Sequence, residues 1–434
     1  MRVLIKDGYL IDPSQKIEQK KNVLIENGKV TGIYAPANTP KMSKGTTVID
    51  CKGLIVTPGF IDLHTHLREP GEEHKETIRT GTLAAAAGGF TTILCMPNTK
   101  VVNDNQAVTE FILSKTRKEG RVRVFPVGAI TKGLEGKNLA EIGELKKSGC
   151  IAISDDGRPV MSSDLMRRAL EYASMFELPV ISHCEDLELS KDGDANEGFP
   201  STELGLRPIP SAAEQVMVAR DVMLAGYTKA RLHVAHVSTE GSVEIIAWAK
   251  QKGLPITCEV TPHHFTLTDE ELYSYDTNFK MNPPLRSALE RDVLIEAMKN
   301  GLIDAIATDH APHDLVVKEV EFDKASFGII GLETALPLAL ELVRSRKITL
   351  YRMVELFTTG PAKAMSLPYG TLKIGADADV TIFDPDSEYV LSASRIHSIS
   401  RNTPFINKTL KGEAVTTIVA GRIAFTRREE LFSK

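Results

Sequence analysis

The chain has no cysteine pair spaced to hold a metal. Its five cysteines (Cys51, Cys95, Cys150, Cys184, Cys258) are an odd number, widely scattered, with no Cys-x-x-Cys, which excludes a disulfide framework and a thiolate zinc site. They read as small buried apolar side chains in a reducing compartment, so the expected location is the cytoplasm. No uncharged apolar stretch is long enough to span a bilayer, and the opening Met1-Arg2-Val3-Leu4-Ile5-Lys6-Asp7-Gly8 is too short and too charged for a secretory leader. Charge of one sign is also missing. With 52 Lys and Arg against 57 Asp and Glu, the net charge of the 434 residues is only −5, which leaves no footprint for nucleic acid or an anionic membrane and makes a small molecule the expected partner. No Gly-x-Gly-x-x-Gly follows an early strand, so a dinucleotide-binding open sheet is only the fallback. Internal repeats, low-complexity tracts and long linkers are absent.

What is present is a rhythm of strand-length apolar runs, at 54–63, 90–96, 122–127, 150–154, 178–182, 231–237, 256–260 and 303–308. Helical periodicity separates them at 76–87, 106–118, 163–175, 212–225, 240–252 and 289–300. Eight strands with intervening helices over about 260 residues match the size of a (β/α)8 TIM-type barrel, and runs this rich in Val, Ile, Ala and Leu suit parallel strands covered on both faces. The flanks differ, with short alternating strands broken by Asp7-Gly8, Asn27-Gly28, Lys52-Gly53 and Gly370-Thr371. Neither flank alone supports a good β core, so residues 1–53 and 366–434 are expected to pair into one small β-sandwich beside a barrel at 54–365.

The first barrel run ends in Asp62-Leu63-His64-Thr65-His66-Leu67-Arg68. Strand residues two apart face the same way, so His64 and His66 can present two imidazoles to one metal ion. Further candidate ligands sit at later strand ends: Asp155-Asp156 after the fourth, His183 after the fifth, His236 after the sixth and Asp309 after the eighth. Taken singly, His183 reads as a core histidine, Asp155-Asp156-Gly157 as a turn and Asp309 as a helix N-cap. Five strand ends carrying such residues, in a chain with only 11 histidines, point instead to a barrel active site, because side chains distant in sequence converge only at that face. Four imidazoles and two carboxylates suit zinc, and suffice for two ions if one carboxylate bridges. Such a site holds a hydroxide at neutral pH and polarises a carbonyl, and a carboxylate on its open side can move the proton. Asp309 is the candidate for that shuttle.

These segments, with Met96-Pro97-Asn98-Thr99, Glu259-Val260-Thr261-Pro262-His263-His264, Lys280-Met281-Asn282-Pro283-Pro284-Leu285-Arg286, Ala307-Thr308-Asp309-His310-Ala311-Pro312-His313 and the Gly-Leu-Glu-Thr at 331–334, resemble type I dihydroorotases of the amidohydrolase superfamily. The resemblance covers nearly the whole chain and implies the reversible cyclisation of N-carbamoyl-L-aspartate to (S)-dihydroorotate in pyrimidine biosynthesis. Carried over by motif, it implies that His64 and His66 hold one zinc and His183 and His236 the other, with Asp156 bridging and Asp309 contacting the first zinc. It also implies that Arg68 and Asn98 bind the substrate carboxylate while Asn282 and His313 contact the ring. Arg68 shares the parity of His64 and His66, and a guanidinium fork suits a carboxylate.

Hydantoinases, allantoinases and many other dihydroorotases carry a carbamylated lysine on the fourth strand, and residues 149–157 here contain none. That absence favours a type I dihydroorotase over an allantoinase or hydantoinase. Asp155 and Asp156 are both in range; strand alternation allows only one to reach the metals, and motif alignment selects Asp156. A noncatalytic scaffold is the reading from another class, against which no ligand is missing. A homodimer and a complex with aspartate transcarbamoylase are the partners the resemblance implies. The run Asp314-Leu315-Val316-Val317-Lys318-Glu319 departs from the family's more charged pattern, as Ser326-Phe327-Gly328 does from Pro-Phe-Gly. Three exposed apolar residues at a barrel mouth suggest a lid or a protein contact. His233, with parity opposite to His236, is expected to face the helices, and His74 and His397 have no partner motif.

Overall fold

A computed structural model describes residues 2–40 and 43–433. Eight parallel strands pair in chain order: β1 (Phe60–Thr65), β2 (Phe90–Cys95), β3 (Arg123–Gly128), β4 (Ala152–Ser154), β5 (Val180–Ser182), β6 (Leu232–Val234), β7 (Ile256–Val260) and β8 (Ala305–Ile306). The ring closes just past β8, where Thr65 bridges His310 and the His66 amide donates to the His310 carbonyl at 2.9 Å. Alternation along the strands sends Ile93, Val124, Val180, Leu232 and Ile256 outward to the helices, while Ile61, Leu94, Val127, Ala152 and Ile181 fill the interior. The helices start at the face where the strands end. Thr77, Asn105, Ser162, Thr239 and Ser287 cap five of them by accepting a first-turn amide, each cap contributing about 1 kcal/mol and holding a strand-to-helix loop in place.

Strands from both ends of the chain form a separate nine-stranded sheet around its own core of Val3, Ile5, Leu10, Val23, Val380 and Ile382. The apolar run that starts at Leu54 divides at Gly59. Ile55–Pro58 pairs with Arg2–Asp12 and Val380–Val390 in the terminal sheet, and only Phe60 onward enters the barrel. A β-carbon at Gly59 would lie 2.1 Å from Thr91 Oγ1, and its amide donates to Asp379 O at 2.8 Å, so the chain turns there with no room for a side chain. Phe60 of β1 stacks on Phe357 at 4.9 Å and meets Phe383 of the terminal sheet at 6.1 Å. Arg123, at the start of β3, forks onto both oxygens of Asp379, fastening the tail to the barrel floor. Among the described residues no helix is long and apolar enough to cross a membrane, and all five cysteines are buried and free.

Candidate active site

The strand ends bring the candidate ligands together. His64 is the last histidine inside β1, whereas His66, Asp156, His183, His236 and Asp309 all lie beyond the ends of their strands. Two of them, with Arg68, hold left-handed backbone (Arg68 φ 59°, His236 φ 33°, Asp309 φ 46°), a conformation side chains other than glycine seldom take and one concentrated at functional sites. Asp156 Oδ1 lies 3.2 Å from His64 Nε2, 3.7 Å from His183 Nδ1 and 3.8 Å from His236 Nε2, while its Oδ2 is 3.6 Å from His66 Nε2. Asp309 Oδ1 is 3.0 Å from His66 Nε2 and 3.6 Å from His64 Nε2. Two groups thus have metal-binding geometry, His64 with His66 and Asp156, and Asp156 with His183 and His236; they share Asp156.

The donor chemistry fits a divalent metal. His64 Nε2 is fully buried, faces both carboxylates, and makes no hydrogen bond of acceptable geometry. Burial would lower the His64 pKa, but Asp156 and Asp309 outweigh it and hold the ring well above the ordinary histidine value. The same attraction keeps Asp156 well below the usual carboxylate range despite its burial. Anionic oxygens packed against imidazoles in this way call for positive charge at the centre.

The far nitrogens of three of these rings are held by other residues. His64 Nδ1 donates to Glu259 Oε1 at 3.0 Å, His66 Nδ1 to Asn98 Oδ1 at 2.9 Å, and His183 Nε2 to Glu185 Oε2 at 3.0 Å. These partners accept only, so with a metal at the centre each ring would donate outward and turn its lone-pair nitrogen inward. Glu259 Oε2 also takes a hydrogen bond from His233 Nε2 at 3.0 Å, and His233 Nδ1 meets Thr257 Oγ1 at 2.8 Å. Burial would raise Glu259, but His233 and His64 outweigh it and hold the carboxylate down to about 2. Glu185 is likewise held at about 2, because His183 and the Asn282 amide outweigh its burial.

His233 therefore corrects the parity expectation. Its neighbours Leu232 and Val234 pack with helix residues such as Val222 and Ile246, so His233 points into the barrel. Counting back from His236 failed because β6 ends at Val234 and the backbone is left-handed at His236. For the same reason Arg68 reaches the site through a left-handed turn three residues past β1, not through strand parity. Asp155 and Asp156 separate as alternation requires. Asp155 Oδ1 accepts the Ile130 and Thr131 amides at 2.8 and 3.0 Å, so that side chain anchors the loop after β3.

A cavity of about 250 Å³ opens beside the cluster, lined by His66, Asp156, His183, His236, Asp309, Arg68, Asn98, Asn282 and His313 with Gly157, Ala311, Phe327 and Gly328. Arg68 donates to Pro312 O at 3.1 Å and faces His313 Nε2 at 3.4 Å, and no carboxylate among the described residues pairs with this buried guanidinium. His313 Nδ1 is buried with no partner. Burial and the neighbouring Arg68 charge lower His313 to about 2, so the ring is neutral at working pH. Asn98, with its carbonyl occupied by His66, has its amide nitrogen 3.3 Å from Asp156 Oδ2, and Asn282 Nδ2 donates to Glu185 at 2.9 Å. All ten residues singled out in the sequence meet here. Glu259, Glu185, Phe327 and Gly328 were not among them; the available signals were a lone acid inside the apolar run 256–260 and an acid two residues after His183. Of the lid residues, Leu315 and Val316 are exposed, while Val317 is half-buried in a 3-10 turn capped by Asp314.

Glu259→Gln is expected to weaken metal binding about 10- to 100-fold, because an amide nitrogen would face one of two donor nitrogens. Competition with a chelator measures this, and unchanged affinity would show that Glu259 does not orient His64.

Residues 53–242 match the family model described as dihydro-orotase-like, and residues 281–425 match the amidohydrolase family. The chain is 53% identical over 427 residues to the dihydroorotase of Geobacter metallireducens, covering 98% of this chain and 100% of that one. It is 53% identical over 431 residues to the dihydroorotase of Geotalea daltonii, again covering 98% and 100%. Among solved structures, L-hydantoinase (dihydropyrimidinase) from Arthrobacter aurescens superposes with a TM-score of 0.87 at 27% identity, covering 98% of this chain and 96% of that one. Dihydropyrimidinase from Brevibacillus agri follows at 0.82 and 25%, covering 98% and 95%. With half its residues identical to the two dihydroorotases over nearly its full length, and with a histidine and carboxylate cluster at the strand ends of a barrel, the chain belongs to the dihydroorotase family of amidohydrolases.

Proposed function

We propose that this enzyme interconverts N-carbamoyl-L-aspartate and (S)-dihydroorotate in pyrimidine (UMP) biosynthesis, and that two zinc ions would be held by the two ligand groups that share Asp156. The observation that carries this reading is a buried, carboxylate-free Arg68 at the rim of a histidine and aspartate cluster, in a cavity sized for one small cyclic amide. His64 and His66 would hold one ion, His183 and His236 the other, and Asp309 would contact the first. When bound, such ions activate a water and polarise the ring carbonyl.

The chain's own groups do the rest. Arg68 and the amide nitrogen of Asn98 bind the substrate carboxylate, and Asn282 and His313 contact the ring. In hydrolysis, water adds to the ring amide carbon while Asp309 accepts its proton. The ring C–N bond then breaks, Asp309 returns the proton to the departing nitrogen, the second proton of the water is released to solvent, and the products are a carboxylate and a carbamoyl NH2 group. Ring closure runs the same transfers backward.

The likeness to hydantoinases is one of fold, at half the identity found with dihydroorotases, and residues 149–157 contain no lysine that could be carbamylated to bridge two ions. A scaffold role has no lost ligand to support it. The test is turnover of dihydroorotate, hydantoin and allantoin by the metal-replete protein. Turnover of either of the latter two without dihydroorotate would overturn the assignment. The reading includes a homodimer in the cytoplasm, where the five free thiols stay reduced, and a complex with aspartate transcarbamoylase, for which exposed Leu315 and Val316 at the barrel mouth offer a contact.

A further inference from the structure

The segment after His313, which leaves the cavity rim, is pinned by a buried cation. Lys318 is 3% exposed, and its Nζ donates to Thr277 O at 2.7 Å, Ser326 O at 2.9 Å and Gly328 O at 3.2 Å. All three ammonium hydrogens therefore go to main-chain carbonyls, and no carboxylate among the described residues pairs with this lysine. The contrast with Lys280 is instructive. Lys280 is also buried, but it has Asp194 at 3.0 Å besides the Phe322 and Asp323 carbonyls. An unpaired buried ammonium is costly, and burial pulls Lys318 down to about 7, with Asp276 opposing the shift and Lys280 adding to it. No uncharged side chain can donate three hydrogen bonds from one atom, so the arrangement suits one task, drawing three carbonyls to a point.

Of those residues Gly328 lines the cavity, and the other two lie in segments that lead into its walls. Thr277 begins the segment that leads to Asn282, while Ser326 and Gly328 flank Phe327. Gly328 is fixed from other sides as well. Its amide donates to Lys280 O at 2.8 Å, its carbonyl accepts from Asn402 Nδ2 at 3.1 Å, and at φ 102° a β-carbon would come within 2.8 Å of the Ala311 β-carbon. The Phe327 ring lies under Lys280 Nζ, 4.7 Å from its centroid. The main chain at Ser326 to Gly328 is thus held rigidly against the cavity with no side-chain polar group of its own turned toward it.

We propose that Lys318 is a positioning residue for substrate, clamping the Ser326 to Gly328 main chain as the wall that meets the bound ring while not touching the ring itself. This rests on the dihydroorotase reading above for its substrate, though not for its structural prediction. In Lys318→Met the wall loses its anchor. The expected result is a KM for dihydroorotate raised about tenfold with kcat within about threefold of the parent, the size expected for losing charge-assisted hydrogen bonds that act on binding. Hydrogen exchange at the amides of residues 326–330 should quicken, and metal content should not change. Lys318→Gln retains two donors and should fall between parent and Met, which keeps the test open if the Met variant does not fold. Unchanged KM in the folded variant, or a lower melting temperature with unaltered exchange at 326–330, would overturn the proposal. Failure of the parent enzyme to turn over dihydroorotate would instead sink the functional reading, and the exchange experiment would still judge the clamp.

Discussion

Asp309→Asn should lower kcat about a thousandfold with little change in KM, within the range associated with loss of a positioned acid–base group. The substitution keeps size and one oxygen, so the contacts to His66 at 3.0 Å and His64 at 3.6 Å can persist. What disappears is the ability to take a proton and give it back. Burial would raise the Asp309 pKa, but His64 and His66 hold it below the usual carboxylate range, so in the parent the group is ready to accept. Steady-state kinetics with metal analysis on the same sample makes the check. A variant retaining more than about a tenth of the parent kcat would remove Asp309 from the proton path.

The second large effect is expected at Asp156, and it should differ in kind. Asp156→Asn should lose bound metal together with activity, by about a thousandfold or more, because this carboxylate is shared by both candidate ligand groups. An amide can offer its single oxygen to one ion and turns an NH2 toward the other. Asp155→Asn is the control on the adjacent residue. Asp155 accepts the Ile130 and Thr131 amides and does not reach the cluster, so its loss should cost about 1–3 kcal/mol of stability with metal content intact. Elemental analysis and chemical denaturation of the two variants separate these outcomes. Full metal occupancy in Asp156→Asn would rule out a bridging role.

Much of this was legible before any coordinates. Apolar runs of strand length located all eight barrel strands, and the helix at 106–119, expected at 106–118, shows how well a 3.6-residue period places such elements. The run beginning at Leu54 misled because apolarity does not say which core a strand joins. Only the close approach at Gly59 and pairing with residues near 380 assigns its first half to the terminal sheet. Glu259 has no role assignable from the sequence, because an acid inside an apolar run has no meaning until its partners, His64 and His233, are seen on either side.

Residue types and their order alone determined the barrel, the strand ends that carry ligands, and the aspartates without a lysine just after β4, because alternation and motif spacing are local properties of a chain. The tertiary structure alone decided how those ligands are aimed. Parity stops where the backbone leaves the extended region, as it does at His236 and Arg68, so rotation past a strand end cannot be counted out residue by residue. The hydrogen bond that orients His64 comes from a residue 195 positions away, and the cation that anchors the cavity wall grips carbonyls contributed by two separate loops. Such contacts arise from closing the barrel, which brings together groups whose sequence separation carries no signal of their meeting.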